Sequence, residues 1–338
     1  MPIRISSYLL GSGKPAVGGP QYASAAPTEN VPLVAATANA SGPTEVRISI
    51  KENGPLLASL LVESKADGCN KLLREVRLIA GQPQVEIDNL VDKIATTTKE
   101  GVHFGFAFNI TNPRTRVDIP WGVMELEADQ LPFANRNWIC FQRWLDISNS
   151  DCGVTWCALD AATFESGAMT ANIIGSGTGS PAWIRKLQPS ATIYSWALNN
   201  HWHTNFPLFQ EGKIPFRYRL LPHVSGYDAA AANRFGVEQA QPLLATPAKD
   251  DLEIKTRVAI DNPRVYATIL KTTADGKAFM VRLRSLSDQP ETASLGFPSG
   301  APRSIRMSDA PEVPGEITAP AVTLLPYGIT TLRLEFNH

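Results

Sequence analysis

From Glu45 onward, apolar and polar residues alternate with the period of a β-strand. EVRISIKE sets Val46, Ile48 and Ile50 on one side and Glu45, Arg47, Ser49 and Lys51 on the other, the pattern of a half-buried strand. The signal recurs in LLASLLVES, KLLREVRLIAG, QVEIDNLVDK and HFGFAFNI, each bounded by Gly, Pro or Asn turn residues. Between Arg116 and Ile174 the predicted strands grow heavier in aromatic residues (IPWGVMEL, NWICFQRWLDIS, GVTWCALD, MTANIIG). Trp121, Trp138, Trp144 and Trp156 are expected to fill much of a core between two sheets.

No stretch sustains a 3.6-residue apolar period for three turns. The best helical candidate, YDAAAANRFGVEQ from Tyr227 to Gln239, could equally be an ordered connector. A second strand series follows LLATPAKDD: LEIKTRVAI, VYATILKTT, AFMVRLRSL and TLLPYGITTLRLEF. Strands never alternate with ten-residue helices, which argues against an α/β barrel or a doubly wound sheet. The expectation is an all-β chain in four parts: a Gly/Pro/Ala-rich leader or edge segment over 1–44, a large β-sandwich over 45–226, a connector over 227–250 and a small C-terminal β-sandwich over 251–338.

Composition narrows the partners. A chain of 338 residues with 43% hydrophobic and 19% charged residues can bury a sizeable core. Its net charge of -1, with Lys and Arg scattered singly, gives no electrostatic case for nucleic acid or a membrane surface. Four cysteines make no disulfide framework in a chain of this size. They are expected to be buried, reduced thiols, although Cys152 and Cys157 could meet across a tight turn. The first residues contain only a short apolar YLL, no signal-peptide core is evident, and no segment approaches a membrane span. A soluble protein of undetermined compartment is expected.

Chemistry is most concentrated in YSWALNNHWHTNFPLFQEGKIPFRYRL, from Tyr194 to Leu220, where Asn199, Asn200, His201, His203, Thr204 and Asn205 crowd around Trp202. Three readings stand side by side. His201 and His203, two apart, could begin a metal site, but a zinc centre needs three or four ligands. Trp202 among amides could be a sugar platform. The same residues could instead close a hydrogen-bonded sheet corner. Asp118, Glu125, Glu127, Asp129, Asp146 and Asp160 supply carboxylates of the kind glycoside hydrolysis uses in pairs, yet strand spacing brings no two of them together. GSGTGSP, residues 175–181, has no following helix and reads as a turn.

An ordered series of blocks resembles the C-terminal β-sandwich region of glycoside hydrolase family 38, the retaining α-mannosidases: KPAVGGP (14–20), GPLLASLLVES (54–64), LLREVRLIAGQPQVEIDNLVDK (72–93), KEGVHFGFAFNI (99–110), DIPWGVMELEADQLP (118–132), NWICFQRWLDISN (137–149), NNHWHTNF, GKIPFRYRLLPH and YGITTLRL (327–334). The resemblance implies a mutarotase-like supersandwich portion followed by a smaller sandwich. It also implies a zinc enzyme whose catalytic barrel is not in this chain. No catalytic residue and no metal ligand carries over, and zinc is expected in the barrel, with no cofactor here.

The implied role is a non-catalytic part of an α-mannosidase-type hydrolase, inactive alone and packed against a barrel of the same or a companion polypeptide. Asn199, Asn200, His201, Trp202, His203, Asn205 and Arg217 are then candidates for a cleft wall or interface, touching an α-mannoside or the barrel. The alternative is a free-standing carbohydrate-binding β-sandwich. A piece of a larger enzyme should expose an apolar interface, whereas an independent module should show a closed polar surface.

Overall fold

The computed structural model describes residues 5–10, 38–97, 100–170, 183–200, 207, 209–243, 247 and 256–336. The chain divides into two compact units, Met1–Tyr227 with Phe235–Gln241, and Asp228–Arg234 with Pro242–His338. Every strand pairing among the described residues is antiparallel, and the fold is all-β sandwich.

The first unit contains β1 (Ile5–Leu10), β2 (Ala38–Ser41), β3 (Thr44–Asn53), β4 (Leu57–Lys65), β5 (Cys69–Ile79), β6 (Val85–Lys93), β7 (Glu100–Ala107) and β8 (Arg114–Ile119). It continues with β9 (Gly122–Glu125), β10 (Ile139–Cys140), β11 (Leu145–Ser148), β12 (Gly153–Ala158), β13 (Thr163–Ser166), β14 (Thr192–Asn199) and β15 (Gly212–His223). They form a six-stranded sheet in the order β10-β13-β14-β7-β1-β2 and a nine-stranded sheet in the order β3-β4-β5-β6-β15-β12-β11-β8-β9.

Aromatic side chains join the inner faces. Phe104 and Phe106 of β7 meet Phe216 and Tyr218 of β15 and Trp156 of β12, with ring centroids 4.9 Å apart for Phe106 and Tyr218 and 5.4 Å for Trp156 and Tyr218. The two prolines of β15 sit where the ladder can spare an N–H: Pro215 pairs only with β6 and Pro222 only with β12. Burial raises the Tyr218 phenol well above its ordinary range, and its hydroxyl donates to Ser195 Oγ at 3.0 Å.

Several expectations are corrected. EVRISIKE is a strand, but its apolar side is not half-buried: Val46, Ile48 and Ile50 are 52%, 63% and 69% exposed. The physical reason is position, since β3 is the outermost strand and the buried core residues of this sheet begin at Leu72 on β5. Trp156 lies in the core between the sheets, whereas Trp121 is exposed in a positive-φ turn and Trp138 is half-buried against Trp196. Trp144 is buried beside Tyr227, and a Cβ on Gly236 would stand 2.3 Å from its ring. Cys152 immediately precedes β12 and Cys157 lies within it, so one extended strand keeps them apart and they cannot meet. All four cysteines are free, but only Cys157 is buried: Cys69 and Cys152 are half-buried and Cys140 is exposed.

Helix α1 (Ala229–Ala240) fills the helical candidate, capped by Asp228, whose carboxylate accepts from the Ala230 and Ala231 amides. The second unit holds β16 (Ala259–Ile260), β17 (Val265–Thr272), β18 (Phe279–Ser285), β19 (Glu291–Gly296), β20 (Ser304–Ser308), β21 (Pro314–Ile317), β22 (Ala321–Leu324) and β23 (Ile329–Glu335). A three-stranded sheet, β16-β19-β22, and a five-stranded sheet, β17-β18-β23-β20-β21, bury Val281, Leu283, Ala293, Leu324, Leu332 and Leu334. TLLPYGITTLRLEF is therefore two strands, split by a turn in which Tyr327 has φ of 51°.

Polar contacts of this second unit are acid-sensitive. Asp275 accepts from Thr273 Oγ1, from Arg333 Nη2 and from the Lys277 amide, which hold its carboxyl well below the ordinary 3.8. Glu291, Glu312 and Glu335 are lowered likewise, led by hydrogen bonds from Asn262, Lys271 and Ser304.

Two outcomes are expected. Folded-state carboxyls lowered in this way contribute stability that is complete above their unfolded values and lost as pH falls through the folded ones. The unfolding midpoint of the chain should therefore drop as pH falls below about 4, and Asp275→Asn should lower stability at neutral pH while flattening that slope; a variant with the wild-type slope would contradict the assignment. Separately, a Cβ on Gly153 would lie 2.4 Å from both His223 Cε1 and Ser148 Cβ. Gly153→Ala should cost about 2 kcal/mol in denaturant unfolding.

Candidate functional site

At one end of the first unit, β6, β7 and β14 finish around a cleft of about 340 Å³, lined by Lys93, Thr96, Glu100, Val102, Leu198, Asn199, Asn200, Pro207, Phe209 and Gln210. Its floor follows from strand register. Ile87, Asn89, Val91 and Lys93 share the inward side of β6, so Lys93 arrives at a core-facing position and requires a partner. Glu100, at the start of β7, forms an ion pair with it; the two are 5% and 6% exposed. Lys93 Nζ also donates to the Gly68 and Ile94 carbonyls at 3.0 and 2.9 Å. All three ammonium protons are thus engaged. The turn that brings Gly68 close demands glycine, because φ is 71° and a Cβ would stand 2.7 Å from Glu100 Oε2.

Asn200 ties the rim together. Its amide N–H donates to the Glu100 carbonyl at 3.2 Å, its Oδ1 accepts from the Glu100 N–H at 2.6 Å, and its Nδ2 donates to the Thr96 carbonyl at 3.0 Å. Three residues before it, β14 carries a bulge between Trp196 and Leu198, after which Leu198 opposes Val102 and Asn199 opposes Gly101. The bulge re-aims the end of β14, so that Leu198 and Asn199 both line the cleft. Phe209 is 49% exposed at the rim. Burial raises the thiol of Cys69, which begins the strand after the Gly68 turn.

Of the residues singled out in the sequence, Asn199 and Asn200 line this cleft. Arg217 does not: it grips Asp160 with Nε and Nη2 at 3.0 and 2.7 Å while its amide donates to the same carboxylate, and this holds its guanidinium above the ordinary value. His201, Trp202, His203 and Asn205 lie outside the described residues, as does GSGTGSP. Lys93, Glu100 and Phe209 were not anticipated. A lysine at the inward end of an alternating strand was the signal that could have found the first two.

The other flagged carboxylates are committed to structure. Asp118 pairs with Arg143, Glu125 with Arg114 and Arg116, and Glu127 with Arg136, while Asp129 accepts from the Glu125 amide. Asp146 accepts from Ser148, Thr155 and His223. Among the described residues no group of three His, Cys, Asp or Glu side chains is placed to hold a metal ion. Nor is any described helix long and apolar enough to cross a membrane.

Fold and site together define an antiparallel β-sandwich protein with a small amide-rimmed cleft and structurally engaged carboxylates. Residues 34–165 match the family model described as the glycosyl hydrolases family 38 C-terminal domain. Two solved structures from Enterococcus faecalis share the fold. One, a protein in glycosyl hydrolase family 38, is 15% identical with a TM-score of 0.66, over 98% of this chain and 40% of that one. The other, an alpha-mannosidase from strain V583, is 15% identical with a TM-score of 0.65, over 98% of this chain and 38% of that one. The chain thus spans about 40% of the length of the structures it matches. No curated protein matches it.

The Asn200 clasp has a measurable consequence. Asn200→Ala leaves the Glu100 N–H without its acceptor and should cost about 1–3 kcal/mol of stability. Amide exchange should accelerate at Glu100 ahead of the core strands; unchanged protection at Glu100 would show that the clasp is not what closes this corner.

Proposed function

We propose that the chain is a non-catalytic C-terminal β-sandwich part of an α-mannosidase-type glycoside hydrolase and that it packs against a catalytic barrel of the same or a companion polypeptide. In this reading zinc and the catalytic carboxylates belong to the barrel. The observation that carries the proposal is the uncovered inner face at the β3 edge. Ile48 faces Val62 and Ile50 faces Leu60 across the ladder, and Val46, Ile48, Ile50, Leu60 and Leu78 are all exposed. The reverse side of the same strands is laced by the Lys51–Glu75, Lys65–Glu45 and Lys71–Glu63 ion pairs, as a solvated face should be.

A contiguous apolar shelf on an edge strand is a liability in water and an asset at an interface. It supports a piece of a larger assembly over a self-sufficient module with a closed polar surface. The match to two family 38 folds over nearly the whole chain, but only about 40% of theirs, agrees with that reading.

The test is association with a separately expressed family 38 catalytic barrel. The wild-type chain should co-elute with the barrel, and the double variant Ile48→Glu, Ile50→Glu should fold but fail to do so. Co-elution that survives both charges would move the interface elsewhere, and absence of any association would remove the proposal.

A further inference from the structure

We propose that the uncovered face of β3, β4 and β5 receives a partner segment that sets one carboxylate, framed by apolar side chains, against Arg74. The inference rests on the reading of this face as an interface and names the chemistry of what covers it. Strand register places the residue. Ile48 opposes Val62, Val62 opposes Arg74, Arg74 opposes Asn89 and Asn89 opposes Phe216, so one row of side chains runs from the outermost strand into the core. Ile48 is exposed and Phe216 buried, and Arg74 stands at the boundary, with buried Leu72 on one side of it along β5 and exposed Leu78 on the other.

An arginine at an inward position needs an opposite charge. The other two buried arginines described in the first unit have one: Arg136 pairs with Glu127, and Arg219 with Asp88 and Glu86. Arg74 has an amide instead. Its Nε donates to Asn89 Oδ1 at 2.7 Å, and Asn89 is fixed in turn by its own Nδ2, which donates to the Phe216 carbonyl at 2.9 Å. Nη2 is enclosed without a hydrogen bond among the described residues, and Nη1, also without one, is not enclosed. Burial pushes the guanidinium down to about 10, as it must for a cation with no carboxylate beside it.

Charge and surface together select the occupant. The exposed residues of the shelf, Val46, Ile48, Ile50, Leu60 and Leu78, bring no carboxylate, and the glutamates of the same strands, Glu45, Glu63 and Glu75, are engaged on the reverse side by Lys65, Lys71 and Lys51. A second copy laid face to face would therefore offer Arg74 no anion. A wholly apolar cover would take the last water from Nη1 and return nothing, and an inorganic anion would leave the aliphatic residues wet. A segment carrying Asp or Glu among aliphatic side chains answers both needs, because the guanidinium fork matches a carboxylate.

Two measurements on the full 338-residue chain test the inference. In the first, hexanoate stands in for the aliphatic carboxylate: it should shift the NMR signal of the Arg74 Nε–H saturably in the millimolar range, and hexanamide, similar in shape but uncharged, should not. This needs no variant, so it does not depend on how a substitution folds. In the second, Arg74→Met should weaken association with a separately expressed family 38 catalytic barrel about tenfold or more, and Arg74→Lys, which keeps the charge, should weaken it less. Absence of a saturable hexanoate shift, equal responses to hexanoate and hexanamide, or barrel association indifferent to Arg74→Met overturns the inference. Self-association of the chain that Arg74→Met abolishes also overturns it, by making a second copy the occupant. A hexanoate response at Arg74 without any barrel association leaves the carboxylate site standing while the proposed function falls. Barrel association lost in the Ile48→Glu, Ile50→Glu variant but untouched by Arg74→Met leaves the proposed function standing and removes this inference.

Discussion

Packing of aromatic rings between the two sheets of the first unit is the interaction on which its other features depend. Phe104 and Phe106 stand two apart on β7 with Gly105 between them, and Phe216 and Tyr218 stand two apart on β15, so pleating alone delivers four rings to one layer. Trp156, fully buried on the neighbouring strand, stacks on Tyr218 and closes the layer. Each ring buries on the order of 150–250 Å², so this layer contributes heavily to the hydrophobic stabilisation of the unit. Fixing β7 against β15 also fixes β6 and β14, their ladder neighbours, and it is at the ends of β6, β7 and β14 that Lys93, Glu100 and Asn200 meet.

β7 is buried on both sides, and its second side carries polar groups. His103 lies opposite the phenylalanines, hydrogen-bonded through Nε2 to Glu165 at 2.6 Å and stacked on Trp196, which in turn meets Trp138 edge-on. Glu165 is also held by the Thr170 amide. A strand with no solvent-facing side cannot slip by one residue without moving both Phe104 and Phe106 and the hydrogen-bonded His103 into the wrong layer. The bulge in β14 beside Trp196 is therefore confined to the last residues of the strand, where it changes only which side chains reach the cleft.

Strand positions were legible in the sequence wherever alternation was clean, as in β4, β5, β6 and β7, because period two reports the pleat directly. Burial was less legible. EVRISIKE alternates as well as any strand in the chain, yet alternation says only that one side is apolar, not that a second layer covers it, and coverage depends on the order of strands in the sheet. The tryptophans show the same gap: the composition of IPWGVMEL, NWICFQRWLDIS and GVTWCALD forecast a heavy core, but the turn at Trp121 turns its ring out to solvent. β19, β20 and β21 escaped notice because they are short and interrupted by proline, glycine and charge. The amides Asn199 and Asn200 were visible as an anomaly in a strand; the Lys93–Glu100 floor beneath them was not, since it depends on a contact between two strand ends.

The distribution of charge gives the chain its character. Asp118, Glu125, Glu127 and Asp160 are each engaged by an arginine, and Asp146 by two hydroxyls and an imidazole. Carboxylates held in this way fix loops and strand ends, and a group whose lone pairs are already occupied is a poor proton donor or nucleophile toward a glycosidic bond. His223 has the same structural cast. Its Nδ1 lies 2.7 Å from the Ser225 carbonyl oxygen and its Nε2 lies 2.9 Å from the Asp146 carboxylate, so the ring ties two parts of the chain together. Gly153 makes room for that ring. Polar chemistry among the described residues is spent on holding a sandwich in one geometry, whereas the apolar side of the β3 edge, with Val46, Ile48 and Ile50 exposed, is left without cover.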